Sequence, residues 1–220
     1  MRLEGIHHIT AITGDAPRNV DFYARVLGLR LVKKTVNQDD PTVYHLFYAD
    51  EGGSPGSDIT FFEYPGLPTG RAGDGMVHRV LWRVGSEAAL DFWAERLTGE
   101  GVEALREDGG LRFADPDGLD HELLVADVED EPLIADHPAV PAELALQGFH
   151  GVRAYLGQPD RSRTLLEQGL AFEPRADGWE ARGERRGGLY LAAAPPAPPA
   201  RPGAGTGPHG GGSGGIVEHQ

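Results

Sequence analysis

The sequence predicts an α+β protein built from tandem β-α-β-β-β units whose mixed sheets curve around concave faces. Three observations predict this. A shift of 70 residues places His8 on His78, Asp21 on Asp91, Phe22 on Phe92 and Leu27 on Leu97 without a gap, and self-similarity at a fixed offset marks a duplicated structural unit. Short runs alternate apolar and polar residues with the period of two that a half-buried strand requires. Each copy also holds one helical stretch with its own start signal.

In the first copy "IHHITAIT" alternates as a strand, and Asp15 with Pro17 then supplies a cap and a helix start. Val20, Tyr23 and Leu27 share one helical face, and Gly28 is placed to end the helix. "LRLVKKTV" and "TVYHLFYAD" read as the next strands, "EGGSPGSD" as a turn and "ITFFEYP" as the fourth strand. The second copy repeats the order with "MVHRVLWRV", a helix capped at Ser86 and running through "ALDFWAERL", then "VEALRE", "LRFADPDG" and "DHELLVAD". Residues 3–127 thus form two units, and residues 128–147 form an acidic, proline-containing connector. Residues 148–194 form a third, shorter unit from "GFHGVRAYLG", the helix "DRSRTLLEQG" and the strands "WEARGE" and "GLYLAAA". Residues 195–220 are rich in Pro and Gly, cannot bury enough apolar surface to fold, and are expected to be a disordered tail.

Composition narrows the function. The formal net charge of -14 argues against nucleic acid or an anionic membrane surface as a partner and leaves small molecules. No segment approaches the roughly 18 apolar residues of a membrane span, and no secretory leader stands at the start, so a cytoplasmic location is expected. With no cysteine in the chain, any metal must sit on His, Asp or Glu.

The tandem histidines of "GIHHIT" are the first candidates. Adjacent strand residues face opposite ways, so His7 and His8 are not expected to line one pocket. A strand histidine in register with another on the duplicated unit suits a metal cup between symmetric sheets. His8 and His78 with Glu122 of "DHELL" would supply two imidazoles and a carboxylate, the set that suits non-heme Fe(II). The copy-one equivalent of Glu122 is Thr60. A lone strand histidine is more often a core or surface residue than a ligand, and His45, His121 and His137, which lack a register argument, take that reading. His150 aligns with His7, and Gly151 with His8, so His150 is not expected to be a ligand.

The block from "GIHHITAIT" to "DITFF", together with "FADPDGLDHELL", resembles the vicinal oxygen chelate (glyoxalase, bleomycin resistance, extradiol dioxygenase) superfamily over approximately residues 3–205. Within it the chain looks most like ring-cleaving dioxygenases of hydroquinone-type aromatics. That resemblance implies four units, with Fe(II) held by one histidine of unit one and by a histidine and a glutamate of unit four. It makes His8 the main metal ligand, places His7 and Thr10 on the substrate side in catalytic roles, and leaves His78 and Glu122 as an in-chain alternative. The fourth unit is expected to be missing beyond "PGAGT". A shifted reading frame is one origin for the tail, since codons chosen for "GPHGG" read one base later as V-H-T-V. The implied activity is Fe(II)-dependent ring cleavage of a small aromatic with O2, with Mn(II) able to replace iron. The alternatives are a glyoxalase-like isomerase or lyase using Zn or Ni, and a non-catalytic protein that binds an antibiotic or aromatic ligand. Sheets left open by a missing unit predict a homo-oligomer.

Overall fold

The structure, a computed structural model, describes residues 3–68 and 70–196. From residue 197 the expected tail and its shifted-frame reading lie outside the described residues. Unit one comprises β1 (His8–Thr13), α1 (Ala16–Val20) continued by a π-wound segment (Asp21–Val26), β2 (Arg30–Val36), β3 (Tyr44–Ala49) and β4 (Asp58–Glu63). Unit two comprises β5 (Val77–Val84), α2 (Glu87–Gly99), β6 (Ala104–Glu107), β7 (Gly110–Ala114) and β8 (Asp120–Val125). Unit three comprises β9 (Phe149–Tyr155), α3 (Asp160–Arg163) with a π-wound extension (Thr164–Gly169), β10 (Glu173–Arg175), β11 (Gly178–Arg182) and β12 (Gly187–Ala193). Among the described residues no helix is long and apolar enough to cross a membrane.

The helix starts are local chemistry. Asp15 accepts from the Arg18 amide at 3.0 Å and Ser86 from the Ala89 amide at 3.2 Å, so each side chain satisfies a first-turn N–H that has no partner inside its helix. Gly28 follows the first helix at φ +70, a left-handed conformation that favours glycine.

Strand pairing divides the units unequally. Unit one forms a four-stranded sheet, β1-β4-β3-β2, whereas units two and three merge into an eight-stranded sheet, β10-β11-β12-β9-β5-β8-β7-β6. The merger runs through an antiparallel β5–β9 pair, first strand against first strand. In unit one, β1 pairs with β4 in parallel and ends its sheet.

A shared core holds unit one to unit two. Ile9, Ala11, Leu46, Tyr48, Ile59 and Phe61 turn to one side of the small sheet and meet Phe22, Tyr23, Val26 and Leu27. Val80, Trp82, Leu111, Phe113 and Leu123 meet Leu90, Trp93 and Leu97 in the same cluster. Arg96 of α2 donates to Val26 O at 2.8 Å and to Arg25 O at 2.7 Å, satisfying carbonyls at the end of the first helix across the seam. The connector is bound to the sheets: Asp130 pairs with Arg83 at 2.5 Å and also with Arg182, and Trp93 donates to Leu144 O at 2.8 Å.

Unit three is fuller than its sequence suggests. Its three-residue strand β10 carries Pro174 and lies at the sheet edge, where a missing N–H costs nothing.

Candidate active site

The first cup is the concave face of unit one. Along β1, Ile9, Ala11 and Thr13 are buried while His8, Thr10 and Ile12 are only half-buried, so His8 and Thr10 share the face turned away from the core. Register carries that face across the sheet. Thr10 pairs with Thr60, Thr60 with Phe47, His45 with Phe62, and on the far hairpin Lys33 with Phe47 and Thr35 with His45. His8, Thr10, Lys33, Thr35, His45, Phe47 and Phe62, with the loop from Val36 to Asp39, enclose a cavity of about 390 Å³.

A short polar chain crosses its floor. The Thr60 hydroxyl donates to Thr10 Oγ1 at 3.1 Å, and His45 Nε2 lies 3.1 Å from Thr60 Oγ1. The ring is held between Phe62, centroid at 3.9 Å, and Phe47 at 4.0 Å. Burial, with the nearby His8 and Lys33 charges adding to it, brings the His45 pKa down to about 4, so the ring is neutral near pH 7. The Lys33 ammonium stands 5.8 Å from the Phe47 ring centroid, within cation–π range.

At the rim, His7 Nδ1 and His8 Nδ1 are 3.1 Å apart. His8 is among the residues that line the cavity and His7 is not. Period-two alternation applies inside a strand, and β1 begins at His8, so His7 belongs to the preceding turn and folds back on its neighbour. The turn is anchored at Gly5, where φ is +82 and a Cβ would come within 2.8 Å of the Gly187 backbone. Asp58, the register partner of His8, has its carboxyl pushed up to about 6 by burial, with His7 opposing the shift.

His78 and Glu122 do not join this cup. They lie on β5 and β8 of the eight-stranded sheet, and Glu122 is held by Arg79 at 3.0 Å and Arg112 at 3.5 Å. His8, His78 and Glu122 therefore do not converge, and among the described residues no group of three His, Asp or Glu side chains is arranged to hold a metal ion. The residues present do not by themselves fit a complete iron site. The physical reason is the β5–β9 pairing, which commits the first strand of unit two to unit three. His150 lies on β9, away from the first cup. Sequence reasoning gave His45 a core or surface role and did not single out Asp58. The available signal was strand alternation, which puts His45 and Phe47 on one face of β3, and Asp58 two residues before Thr60 on β4.

The chain belongs to the Glyoxalase/Bleomycin resistance protein/Dioxygenase superfamily, whose family model matches residues 5–123, the two β-α-β-β-β units just described. It is 44% identical over 173 residues to the "Putative ring-cleaving dioxygenase MhqO" of Bacillus subtilis, a match covering 77% of this chain and 55% of that protein. It is 35% identical over 182 residues to the chlorohydroquinone/hydroquinone 1,2-dioxygenase of Sphingobium indicum, covering 79% of this chain and 56% of that protein. A crystal structure of a putative dioxygenase from Bacillus subtilis superposes with a TM-score of 0.79 at 36% identity, covering 98% of this chain and 67% of that one. The chain spans just over half the length of the curated relatives it matches.

Proposed function

We propose that unit one supplies the substrate-side wall and a single metal ligand, His8, of a ring-cleaving dioxygenase acting on hydroquinone- or catechol-like aromatics with O2. The observation that carries the reading is the first cup itself: His8 and Thr10 on the edge strand face a cavity whose floor is the Thr10–Thr60–His45 chain between Phe47 and Phe62. The names of the relatives support the substrate class. Bound Fe(II), or Mn(II) in its place, would supply O2 chemistry at open coordination positions. His8 would hold it from this unit, and two further ligands would come from outside the described residues.

The rest of the cup suits the substrate. A flat phenol fits within this cavity and packs against Phe47 and Phe62, while the Thr10 hydroxyl and His45, which line it, offer hydrogen bonds that orient its oxygen. The tautomer in which His8 Nδ1–H donates to His7 places the His8 lone pair on Nε2, the form a metal ligand requires. His7 can then pass a proton at the rim.

A second reading, capture of an aromatic without turnover, is favoured by one observation: the described residues provide the aromatic walls but no three-ligand group. One experiment separates the two. The purified chain, loaded anaerobically with Fe(II), is expected to bind iron weakly and take up little O2 with hydroquinones. Fusion of residues 1–196 to the C-terminal part of the MhqO relative is expected to restore stoichiometric iron and O2 uptake, both lost in His8→Ala. A fusion that folds and binds hydroquinone yet takes up no O2 supports capture alone. Uptake that survives His8→Ala overturns the role given to His8.

A further inference from the structure

The eight-stranded sheet has a concave face of its own, and its chemistry is unlike that of the first cup. On β5, Val80 and Trp82 enter the core while Arg79, Leu81 and Arg83 take the opposite face. Register extends that face: Glu122 of β8 lies opposite Leu81, Arg112 of β7 opposite Glu122, and Arg153 of β9 opposite Arg79. Two arginines thus stand directly across an antiparallel pair, an arrangement that repels unless an anion intervenes.

The surrounding charges do not cancel them. Arg79, Arg112 and Arg153 have side chains 14%, 27% and 27% exposed, and the one buried carboxylate among them is Glu122, at 5%. The other acids in reach, Asp120, Asp177, Glu107 and Asp108, are 46% to 77% exposed, where water screens them. Three guanidiniums around one buried carboxylate leave an excess of about two positive charges. Among the described residues the only ion pair of Arg153 is with Asp177, at 3.9 Å.

Unsatisfied polar atoms mark the same place. The regular register of β5 with β9 breaks between Val77 and Arg79, and the residue at the bulge is His78. Its ring stacks on Tyr155 at 4.0 Å and is 9% exposed as a residue, yet both ring nitrogens are buried with no hydrogen-bond partner among the described residues. Arg79 Nε and Arg153 Nε are buried and unpartnered as well. Buried polar groups are normally satisfied, and donors left over in one spot point to something that accepts from them. The His78 pKa is down at about 4, first through burial and then through Arg79 and Arg153, which reports the positive potential at that spot.

We propose that His78, Arg79 and Arg153 form a binding site for a small oxyanion carrying two negative charges, either a phosphate or a dicarboxylate, on the concave face shared by units two and three. Guanidinium forks match both classes of oxygen pair. The site is separate from the first cup, lies on the other sheet, and stands whether or not the proposed ring cleavage is correct.

The test is calorimetric titration of the whole 220-residue chain with inorganic phosphate and, separately, with succinate, at ionic strength held constant with sodium chloride. Saturable one-site binding is expected for at least one of them, and which one binds identifies the class. Arg153→Gln is expected to weaken it by about tenfold or more, the equivalent of one charge-assisted hydrogen bond. Glu122→Gln, which removes the buried negative charge, is expected to tighten it. Proton NMR of the His78 ring should show its pKa rising when the anion binds. Absence of saturable heat with both anions overturns the proposal, as does Arg153→Gln binding like the parent, or Glu122→Gln binding more weakly while still folded. If Arg153→Gln does not fold, His78→Gln takes its place with the same expected loss.

Discussion

His121 is fully buried at the seam between the first two units, and lowering the pH tests what it does there. Trp82 Nε1 donates to His121 Nδ1 at 3.0 Å, so the ring proton lies on Nε2, which donates to the Tyr23 hydroxyl at 2.9 Å. Tyr23 passes its own proton toward Asp115 Oδ2 at 2.9 Å. Every ring valence is used by the neutral form, and burial brings the pKa down from 6.5 to about 3. A depressed pKa contributes stability that is complete above about 6.5 and is lost as the pH falls toward about 3, because the unfolded chain takes up the proton first. The slope is about 1.4 kcal/mol per pH unit, and integrated over the whole interval the loss is roughly 5 kcal/mol. Asp115, pushed up to about 6 by burial, opposes this below that pH by protonating in the folded state. The comparison is therefore made between two proteins that both keep Asp115. Urea unfolding followed by tryptophan fluorescence at steps from pH 7 to pH 4 should show the parent losing stability more steeply than His121→Gln, by about 1.4 kcal/mol per pH unit. Gln can accept from Trp82 and donate to Tyr23 but has no proton to gain. Parallel pH curves would refute the reasoning.

Two further outcomes rest on other contacts. Asp130→Asn should destabilise the fold by about 3–5 kcal/mol, since Arg83 and Asp130 have side chains only 3% exposed and the change leaves a buried guanidinium without its carboxylate; urea midpoints measure it, and a loss under about 1 kcal/mol would show that water replaces the pair. Gly28→Ala should cost about 1–2 kcal/mol, because φ is +70 and the new Cβ would meet Val140 Cγ2 at 3.1 Å; an unchanged melting temperature would show that the turn relaxes.

What was legible in the sequence was local or repeated. The helix caps at Asp15 and Ser86 are side-chain chemistry within three residues of their targets, and the strands of the first two units follow alternation that a half-buried sheet imposes. The offset of 70 residues was enough to put His8 and His78 on equivalent first strands. It was not enough to say what those strands face. Equivalence under duplication is a statement about the unit, whereas convergence on a metal depends on which units join edges. That is a long-range choice made by β5 and β9 together. His45 was read as a core or surface residue because it has no counterpart in register, and its place in the cup depends on the β2–β3 and β3–β4 pairings. The rim contact between His7 and His8 escaped because strand alternation ends where the strand does, and β1 begins at His8.

Duplicated units that take different partners acquire different ligand chemistry on their two concave faces. In the first cup the ionisable ring at the floor, His45, is kept neutral by burial with His8 and Lys33 adding to it, lies against Phe47 and Phe62, and is within hydrogen-bond distance of the Thr60 hydroxyl. Such a surface suits the uncharged aromatic with a phenolic oxygen that the proposed function calls for. On the other face the neutral His78 is flanked by guanidiniums, and the buried carboxylate Glu122 that a metal would need is already shared by Arg79 and Arg112. A cation brought to Glu122 would have to displace two arginines and then sit beside a third. Electrostatics therefore oppose a divalent ion on the second face, and an anion is the ligand that relieves the repulsion between Arg79 and Arg153.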